Sequence, residues 1–516
     1  MGLSSTTTVG EGIQLCVFDM RRGQHEGQEH DKILFFFPAD CHLSLQLSVI
    51  GLSEGLITFM RMFSPEAACD VIEAERHFHA FYQAEPDIWM VMVVDKNKES
   101  EAVWRCDALR AVLKEAHSLF LMFYGSVRNL LEKQPGGELA RTHLYSFIMD
   151  FLTDFLNGKK LQLPSFRDCL RERGTVQMLT IGRDVAIEVQ SLVTILESSC
   201  LGNTTCHSLV LFQDLLVSTT LSPDDTVNLF TYALLRLTPH ALSSGTNSWS
   251  YLRRGTGGSN IAADSFLAKN GSTLGELQYT SHDTSPGRQD PRHNTLRPLQ
   301  RDKWSKGRDG FLVTDIWGSE AGGMVPITPT IWLQQTEERM YLCIYQHKNL
   351  TIILLVPVSS LINGEQGIFL VKQQFLENAS QKILKVEQRL TKGWGGENAY
   401  HVSGYRYLLL DSDRNISRAS PPGKVTTLTK ESLHALNKLR EEVDIEKSRA
   451  KSDFPDSDKD LEVCIRAKNN AWAIARITRG KELYMVLEKA SETLLYASDA
   501  VEKFSDRYCD GAFSLD

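Results

Sequence analysis

The sequence contains no C-x-x-C pair, although it has ten cysteines in 516 residues. The closest two, Cys200 and Cys206, enclose five residues that match no common zinc knuckle. In the segment HEGQEH, the spacing of His25 and His30 differs from the i, i+4 spacing that puts two zinc-binding histidines on one helical face. The pattern predicts no metal site, and it predicts reduced, mostly buried thiols.

A nucleotide-binding loop is also missing. The segment RRGTGGSN around Gly255 lacks the third glycine and the preceding strand of a dinucleotide loop, and it lacks the Lys-Ser/Thr pair of a phosphate loop. The net charge of -8 and the pI near 6.0 argue against a nucleic-acid-binding protein. We therefore expect neither a cofactor nor a nucleic-acid partner.

Long apolar runs are scarce as well. No apolar stretch reaches the ~18 residues that a membrane-spanning helix needs. The N-terminal segment MGLSSTTTVGEG is too polar for a secretory signal, so we expect a cytosolic protein. The same segment fits the loose N-myristoylation pattern at Gly2, and this keeps a lipid anchor open as an alternative.

One motif suggests catalysis. Gly51-Leu52-Ser53-Glu54-Gly55 matches the G-x-S-x-G elbow of serine hydrolases, in which a strand precedes the nucleophile and a helix follows it. Residues 42–50 alternate like a strand, and residues 56–63 can form a helix. However, no HGGG-type oxyanion loop precedes Ser53, and no acid and histidine follow at strand ends. We expect no catalytic residue, with a Ser53 hydrolase as a remote alternative.

The chain is organised as successive groups of strands and helices. The first group has strands at residues 12–19 and 32–38, a helix containing residues 52–63, strands within 70–96, and helices at 102–132 and 139–156. Pro38 ends the second strand, because proline cannot donate to a sheet ladder. Residues 86–96 are apolar on both faces, which is typical of a central strand.

The same order of elements occurs twice more. Strands at 206–220 and within 310–358 alternate with helices at 223–237 and 365–392, and a third group fills residues 405–508 in the same way. Longin or roadblock-like domains have this order of elements: two strands, a helix, three strands and further helices. The predicted fold class is α+β, with three longin-like domains, each an antiparallel sheet with helices on both faces. The predicted domains are residues 1–175, 176–400 and 401–516.

Residues 243–308 interrupt the second domain. They are rich in Ser, Gly, Thr, Asn, Arg and Pro, which predicts a flexible insertion. Their last part, residues 284–308, has seven basic and two acidic residues. The candidate lipid-tether residues are Arg297, Arg301, Lys303, Trp304 and Lys306. Basic residues are attracted to anionic lipid and tryptophan enters the interface, so the segment could bind an anionic phosphoinositide membrane. A solvated linker is the alternative.

Four segments carry a resemblance to a known family. KILFFFP, VIGLSEGLITFMRMFSP, PDIWMVMVVDKN and CIRAKNNAWAIARI resemble the Ccz (calcium-caffeine-zinc sensitivity) subunit of the Mon–Ccz complex. The resemblance covers all three predicted domains and leaves out residues 243–308. It implies an obligate heterodimer with Mon, which is another protein of three longin domains.

The resemblance also implies a function. The heterodimer is expected to be a guanine-nucleotide exchange factor for a late-endosomal or vacuolar Rab GTPase, recruited from the cytoplasm to late endosomes, the prevacuolar compartment and the vacuole. Exchange makes and breaks no covalent bond, so it requires no cofactor. A longin-type trafficking adaptor without exchange activity is the alternative.

The resemblance places VIGLSEGL in the first longin helix. Gly51 and Gly55 are four residues apart, so they lie on one helical face and could let another backbone approach closely. With Ile57, Met60 and Arg61 they are the candidate Rab-platform residues, although a core role for Ile57 and Met60, and no role for the glycines, are open alternatives. The first domains of both subunits would build the platform, and the second and third would hold the heterodimer together. The edge of the first sheet is a candidate for pairing with Mon.

The basic segment generates a prediction about membranes. Changing Arg297, Arg301, Lys303 and Lys306 to Glu should weaken binding of the Mon–Ccz complex to anionic liposomes, because each basic residue near such a surface contributes up to ~1 kcal/mol. Liposome flotation measures this binding, and the loss should shrink as salt is raised. Exchange in solution is the control and should not change. Unaltered flotation would support the solvated linker.

Overall fold

The computed structural model describes residues 13–63, 71–95, 106–158, 175–179, 181, 183–198, 206–244, 304–314, 317–320, 323–361, 364–394, 405–419, 430–453, 461–478, 480–487 and 493–508. The first described unit is a five-stranded antiparallel sheet with helices on both faces. Its elements are β1 (Ile13–Asp19), a 3-10 turn (Glu29–Lys32), β2 (Ile33–Phe37), α1 (Leu43–Phe63), β3 (Val71–Glu73), β4 (His77–Glu85), β5 (Ile88–Asp95), α2 (Cys106–Tyr124), α3 (Val127–Lys133) and α4 (Glu138–Gly158). The strand order is β2-β1-β5-β4-β3, so the strand that is apolar on both faces is central.

The second unit has the same architecture with additional short strands. Its elements are β6 (Val176–Gln177), α5 (Arg183–Ser198), β7 (His207–Phe212), β8 (Leu215–Thr219), α6 (Pro223–Arg236), α7 (Pro239–Ser244), β9 (Ser305–Lys306), β10 (Leu312–Val313), β11 (Trp317–Glu320), β12 (Gly323–Pro326), β13 (Thr330–Leu333), β14 (Glu338–His347), β15 (Leu350–Pro357), a 3-10 turn (Val358–Ser360) and α8 (Glu365–Trp394). The main sheet has the order β13-β14-β15-β7-β8. Sequence reasoning missed α5, although its apolar residues recur at helical spacing.

The third unit completes the chain. It consists of β16 (Tyr405–Asp411), β17 (Ile416–Ala419), α9 (Lys430–Asp453), β18 (Leu461–Arg466), β19 (Trp472–Thr478), β20 (Lys481–Leu487) and α10 (Leu494–Tyr508). Its sheet has the order β18-β19-β20-β16-β17-β6. In all three sheets the five main strands are therefore arranged as second, first, fifth, fourth and third in chain order. The proposed limits at residues 175 and 400 stay predictions.

The helix α1 begins earlier than the sequence suggested. Residues 42–50 were predicted to alternate like a strand, and this prediction is wrong, because α1 already starts at Leu43. Leu43 and Leu45 carry the alternation, but both are exposed. The sheet buries Ile50 and Ile57 instead, which are spaced as on one face of a helix. Tertiary packing therefore overrides the local alternation.

The predicted helix at residues 102–132 is divided in two. Gly125 has φ of +77°, a conformation that favours glycine, and α2 ends before it. Ser126 then caps α3, since its Oγ accepts a hydrogen bond from the amide of Asn129 at 3.1 Å. The carboxylate of Glu85 accepts from the amides of Val127 and Arg128 at 2.6 and 2.8 Å. The new helix therefore starts at a doubly capped end that is fixed to β4.

Two cysteine environments bear on the expected thiols. Cys16 and Cys343 are buried free thiols, and burial raises the pKa of Cys16 to about 12 and that of Cys343 to about 11. Both thiols are therefore protonated and unreactive at neutral pH. Cys206 is disulfide-bonded. The expectation of a reduced thiol is wrong for this residue.

The first two units share one hydrophobic core. The helix α2 lies between the first sheet and the second unit, where it contacts α6 and β13. The ring of Phe123 on α2 lies 4.9 Å from the ring of Tyr232 on α6, measured between centroids. The Nε1 atom of Trp304 donates to the hydroxyl of Tyr232 at 3.0 Å. Trp304 is only 8% exposed and belongs to this core.

This packing corrects the predicted extent of the flexible insertion. Residues 245–303 lie outside the described residues. Residues 304–308 were assigned to the same flexible segment, but Trp304 is buried and Ser305–Lys306 pairs with Leu312–Val313. Because its indole is buried against Tyr232, Trp304 is removed from the candidate lipid-tether residues.

A substitution at Trp304 tests its role in the core. Trp304→Ala should destabilise the chain by about 3–5 kcal/mol, since it removes a large buried side chain. Trp304→Phe keeps most of the volume and removes the hydrogen bond that Nε1 donates to the Tyr232 hydroxyl, so it should cost about 0.5–1.5 kcal/mol. Urea unfolding of the purified chain measures both values. A Trp304→Ala midpoint equal to that of the wild type would show that this residue does not support the core.

Candidate functional site

The inner face of α1 is fixed to the first sheet. Ile50 and Ile57 are buried in a cluster with Phe18, Trp89 and Val91 on the sheet. A second attachment is electrostatic, because Nζ of Lys32 lies 2.9 Å from the carboxylate of Glu54 in the middle of the helix. The helix therefore has a defined orientation, with one side towards the sheet and the other towards solvent.

Ser53 lies on the inner face. It is fully buried, and its Oγ donates to the carbonyl of Val49 at 2.8 Å, one turn earlier in the same helix. No strand leads into it, since the helix begins ten residues before it. The G-x-S-x-G match is therefore two glycines and a serine inside a helix, and the structure gives no support to the hydrolase alternative.

The outer face of α1 carries large apolar side chains. Six of them are between 48% and 73% exposed: Leu43, Leu45, Leu52, Phe59, Met62 and Phe63. Leu45, Leu52 and Phe59 recur every seven residues, so they lie along one side of the helix, and the ring of Phe63 lies 4.5 Å from that of Phe59. We call Leu45, Leu52, Phe59 and Phe63 the apolar ridge. A contiguous exposed apolar surface of this kind is typical of a protein–protein interface.

Small residues lie beside the apolar ridge. Ser44, Ser48, Gly51 and Gly55 are exposed on the same outer side of α1. A Cβ atom added to Gly51 or Gly55 would have no other atom within 4 Å. The helix backbone is therefore open at these positions, and an approaching segment can come closer to it than side chains would normally permit.

The predicted platform residues divide into two groups. Gly51, Gly55 and Arg61 are exposed. Ile57 is fully buried in the core beneath α1, as the alternative interpretation of this residue held, and Met60 packs partly against the same core. A direct contact between Ile57 and a partner is incompatible with this burial. The contacts of the exposed three stay predictions.

The C-terminal end of α1 combines a cation with a buried indole. The guanidinium of Arg61 lies 5.4 Å from the ring centroid of Trp89, a cation–π distance. Trp89 is buried, and its Nε1 has no hydrogen-bond partner in the described part of the chain. The positive charge at this end is therefore held over the sheet by a ring, without an ion pair that would neutralise it among the described residues.

The opposite face of the first sheet is held by buried polar contacts. Burial raises the pKa of Glu85, but the neighbouring His117, whose Nε2 lies 3.6 Å from Oε1, and hydrogen bonds from the amides of Arg128 and Val127 outweigh this effect and lower the pKa overall. Tyr82 contacts His117 across 3.3 Å from its hydroxyl to Nδ1. These contacts join β4, α2 and α3, so the sheet beneath α1 has a firm support.

Helix α1 also meets a criterion for membrane-spanning helices, although the sequence predicted no such helix. Among the described residues it is the helix that is long and apolar enough to span a bilayer by length and composition. A helix packed on a protein core can pass the same test. Because Ile50, Ser53 and Ile57 pack against the sheet and Glu54 pairs with Lys32, we interpret α1 as a half-covered surface helix.

The other predicted residues contribute little to this site. Lys306 is exposed on β9, far along the chain in the second unit, and Arg297, Arg301 and Lys303 lie outside the described residues. No group of three His, Cys, Asp or Glu side chains suited to a metal occurs in the described part. Sequence reasoning missed the apolar ridge, although the seven-residue spacing of Leu45, Leu52 and Phe59 was a usable signal.

Comparison with known proteins defines the class of the first unit. Residues 13–125 match the family model of the first longin domain of INTU, CCZ1 and HPS4. This range runs from β1 to the end of α2 and includes the whole of α1. The chain is therefore a longin-domain protein of the α+β class.

Similarity over the full length defines the family. The chain is 66% identical over 516 residues to vacuolar fusion protein CCZ1 homolog B of Arabidopsis thaliana and 64% identical over 516 residues to the CCZ1 homolog of Oryza sativa subsp. japonica, with 100% of both chains covered in each case. A CCZ1 homolog of Nematostella vectensis is 23% identical over 522 residues, covering 98% of each chain. The chain belongs to the CCZ1 family of vacuolar fusion proteins, and the resemblance found in the sequence is confirmed.

The open glycines of α1 generate a stability prediction. Gly51→Ala and Gly55→Ala should each raise the free energy of unfolding by about 0.5–1 kcal/mol, because glycine in a helix interior is less favourable than alanine and the added Cβ meets no atom within 4 Å. Urea unfolding of the chain alone measures this gain. A loss of stability would mean that the glycines serve packing inside the chain.

Proposed function

We propose that the chain is one subunit of a heterodimeric guanine-nucleotide exchange factor, that Mon is the other subunit, and that a late-endosomal or vacuolar Rab GTPase is the substrate. The outer face of α1, with its apolar ridge and open glycines, is the part of the exchange platform that this chain contributes. The observation that carries the proposal is an exposed apolar ridge on a helix that is fixed to the sheet of a CCZ1-type first longin domain.

The chemistry required of such a platform is displacement. An exchange factor must bind the GTPase more tightly without nucleotide than with it, and this difference in affinity drives GDP and magnesium out. A rigid apolar surface suits the task, because it can hold a switch segment in a conformation that is incompatible with bound nucleotide. No side chain of the platform has to act as an acid, base or nucleophile.

The second and third units extend the proposal. Their main sheets repeat the strand order of the first, and each has helices on both faces. We assign them as further longin domains that hold Mon, while the first domain faces the Rab. The complex would then act at late endosomes, the prevacuolar compartment and the vacuole, which agrees with the vacuolar fusion named for the relatives.

A nucleotide-release assay tests the exchange function. A late-endosomal Rab loaded with fluorescent GDP is mixed with this chain alone, with Mon alone, or with both. We expect rapid release only with both subunits, because one longin domain supplies half of the platform. Full-rate release by this chain alone would contradict the shared platform. Stable binding of the Rab by the heterodimer without faster release would identify a trafficking adaptor.

Substitutions on α1 test the site. Phe59→Asp and Gly55→Leu should each slow GDP release by the heterodimer at least ~10-fold, equivalent to about 1.4 kcal/mol, since one removes apolar contact and the other fills the open backbone. The matched control is Asn378→Leu, at an exposed position of α8 in the second unit. Unfolding midpoints show whether each variant is folded. Release rates equal to the control would place the Rab contact elsewhere.

A further inference from the structure

The two edges of the third sheet differ in whether a strand from another part of the chain is paired with them. At one edge, β6 lies parallel to β17, and the pair is held by backbone hydrogen bonds from Val176 to Asn415 at 2.7 Å and from Met178 to Ser417 at 2.8 Å. Residues from a distant part of the chain therefore add to this sheet as a strand. The sheet demonstrably accepts an extended segment that is not part of its own five-stranded unit.

The other edge is formed by β18, Leu461–Arg466. This strand pairs with β19 on one side, and no backbone hydrogen bond from another described strand reaches its outer side. None of its six residues is buried. By contrast, at the edge strand β2 of the first sheet, the carbonyl of Ile33 accepts a hydrogen bond from Nε of Arg141. An edge with unpaired backbone groups invites a partner strand.

Helix α10 brings apolar side chains to this edge. The ring of Phe504 on α10 lies 4.7 Å from the ring of Tyr407 on β16, measured between centroids, and β16 is towards the opposite side of the sheet. One and a half turns earlier, Ser498 accepts from Nη2 of Arg476 on β19 at 2.9 Å and contacts Glu462 on β18 at 3.4 Å. The helix therefore crosses the sheet with its first turn towards β18. That turn exposes three apolar side chains: Leu494 at 45%, Leu495 at 75% and Tyr496 at 49%.

The strand β18 itself offers apolar neighbours on both faces. Cys464 packs on the side of α10, and Val463 and Ile465 pack on the side of α9. A strand added beside β18 would find apolar surface above and below its alternate side chains. The edge of β18 and the first turn of α10 lie towards the same side of the sheet, and we call them together the β18 edge site.

We propose that the β18 edge site takes up an extended segment of the Mon subunit as an added strand, with apolar residues at alternate positions of that segment. The inference rests on the proposed heterodimer. Six strand residues and three helical side chains are far fewer than the ~20–30 residues per side of a stable interface, so the site cannot by itself hold two copies of this chain together. It suits a partner that is already held through other contacts, and strand addition fixes the register of that partner.

Hydrogen exchange tests the added strand directly. The amides of residues 461–466 are compared in the chain alone and in its complex with purified Mon. Alternate amides, those that point away from β19, should exchange at least tenfold more slowly in the complex. The amides bonded to β19 are protected in both states and provide an internal reference. Equal exchange in the two states, in a complex that still releases GDP from the Rab, overturns the strand site and leaves the exchange function intact.

A substitution tests the apolar part of the site. Leu495→Glu should weaken binding to Mon at least tenfold while leaving the unfolding midpoint unchanged, because this side chain is exposed in the chain alone. Tyr145→Glu, at a position of α4 in the first unit that is 43% exposed, is the matched control, because the first unit is assigned to the Rab. Affinity equal to that of the control overturns the proposal.

Sedimentation of the chain alone is measured in parallel. If the wild-type chain forms dimers and Leu495→Glu abolishes them, the occupant is a second copy and the proposal is overturned. Failure of the wild-type chain to bind Mon would overturn both this proposal and the heterodimer, and it would appear before either variant is made.

Discussion

The central strand of each five-stranded sheet is buried, and that of the first two sheets is buried on both faces almost throughout. An uncovered apolar face would cost roughly 25 cal/mol for each Å² exposed to water. Each sheet therefore needs a helix on either side. The chain provides them in the same way three times, with one helix between the second and third strands and another after the fifth: α1 and α2, α6 and α8, and α9 and α10.

This requirement explains why α1 packs on the first sheet but not why its outer side is apolar. A surface helix normally has one apolar stripe towards the core and polar residues opposite. α1 buries Ile50 and Ile57 and also exposes Phe59, Met62 and Phe63. None of the described residues covers these side chains. Within the described part of the chain, nothing gains the free energy of burying them, so the helix that covers the first sheet is also its candidate interface.

The sequence was informative wherever one residue or one pattern decides the local structure. Apolar residues on both faces of 86–96 marked the central strand of the first sheet, Pro38 marked the end of β2, and the repeated order of elements predicted three similar sheets. Compositional averages were less reliable. Residues 304–308 were assigned to a flexible insertion because their neighbours are polar, yet the single Trp304 side chain is enough to bury that end against Tyr232.

Only part of the candidate site could be predicted from the sequence. Gly51 and Gly55 were recognised from their spacing, and both are open to solvent. The apolar ridge was overlooked because Leu43, Leu45 and Leu47 alternate as in a strand, and an apolar residue in a sequence does not show whether it faces the core or solvent. Only the position of the sheet, which buries Ile50 and Ile57, determines that Leu45, Leu52 and Phe59 point outward.

The two proposed contact surfaces differ in what they recognise. The α1 face presents side chains and an open helix backbone, so in the proposed complex it would bind a GTPase segment through apolar contact and release it when the affinity changes. The β18 edge presents backbone groups that no other described strand pairs with, and a strand added there would be held by a ladder of hydrogen bonds in one register. A reversible contact suits the substrate of an exchange factor, and a register-fixed contact suits its permanent partner. The first unit would then turn over many Rab molecules while the third keeps the two subunits aligned.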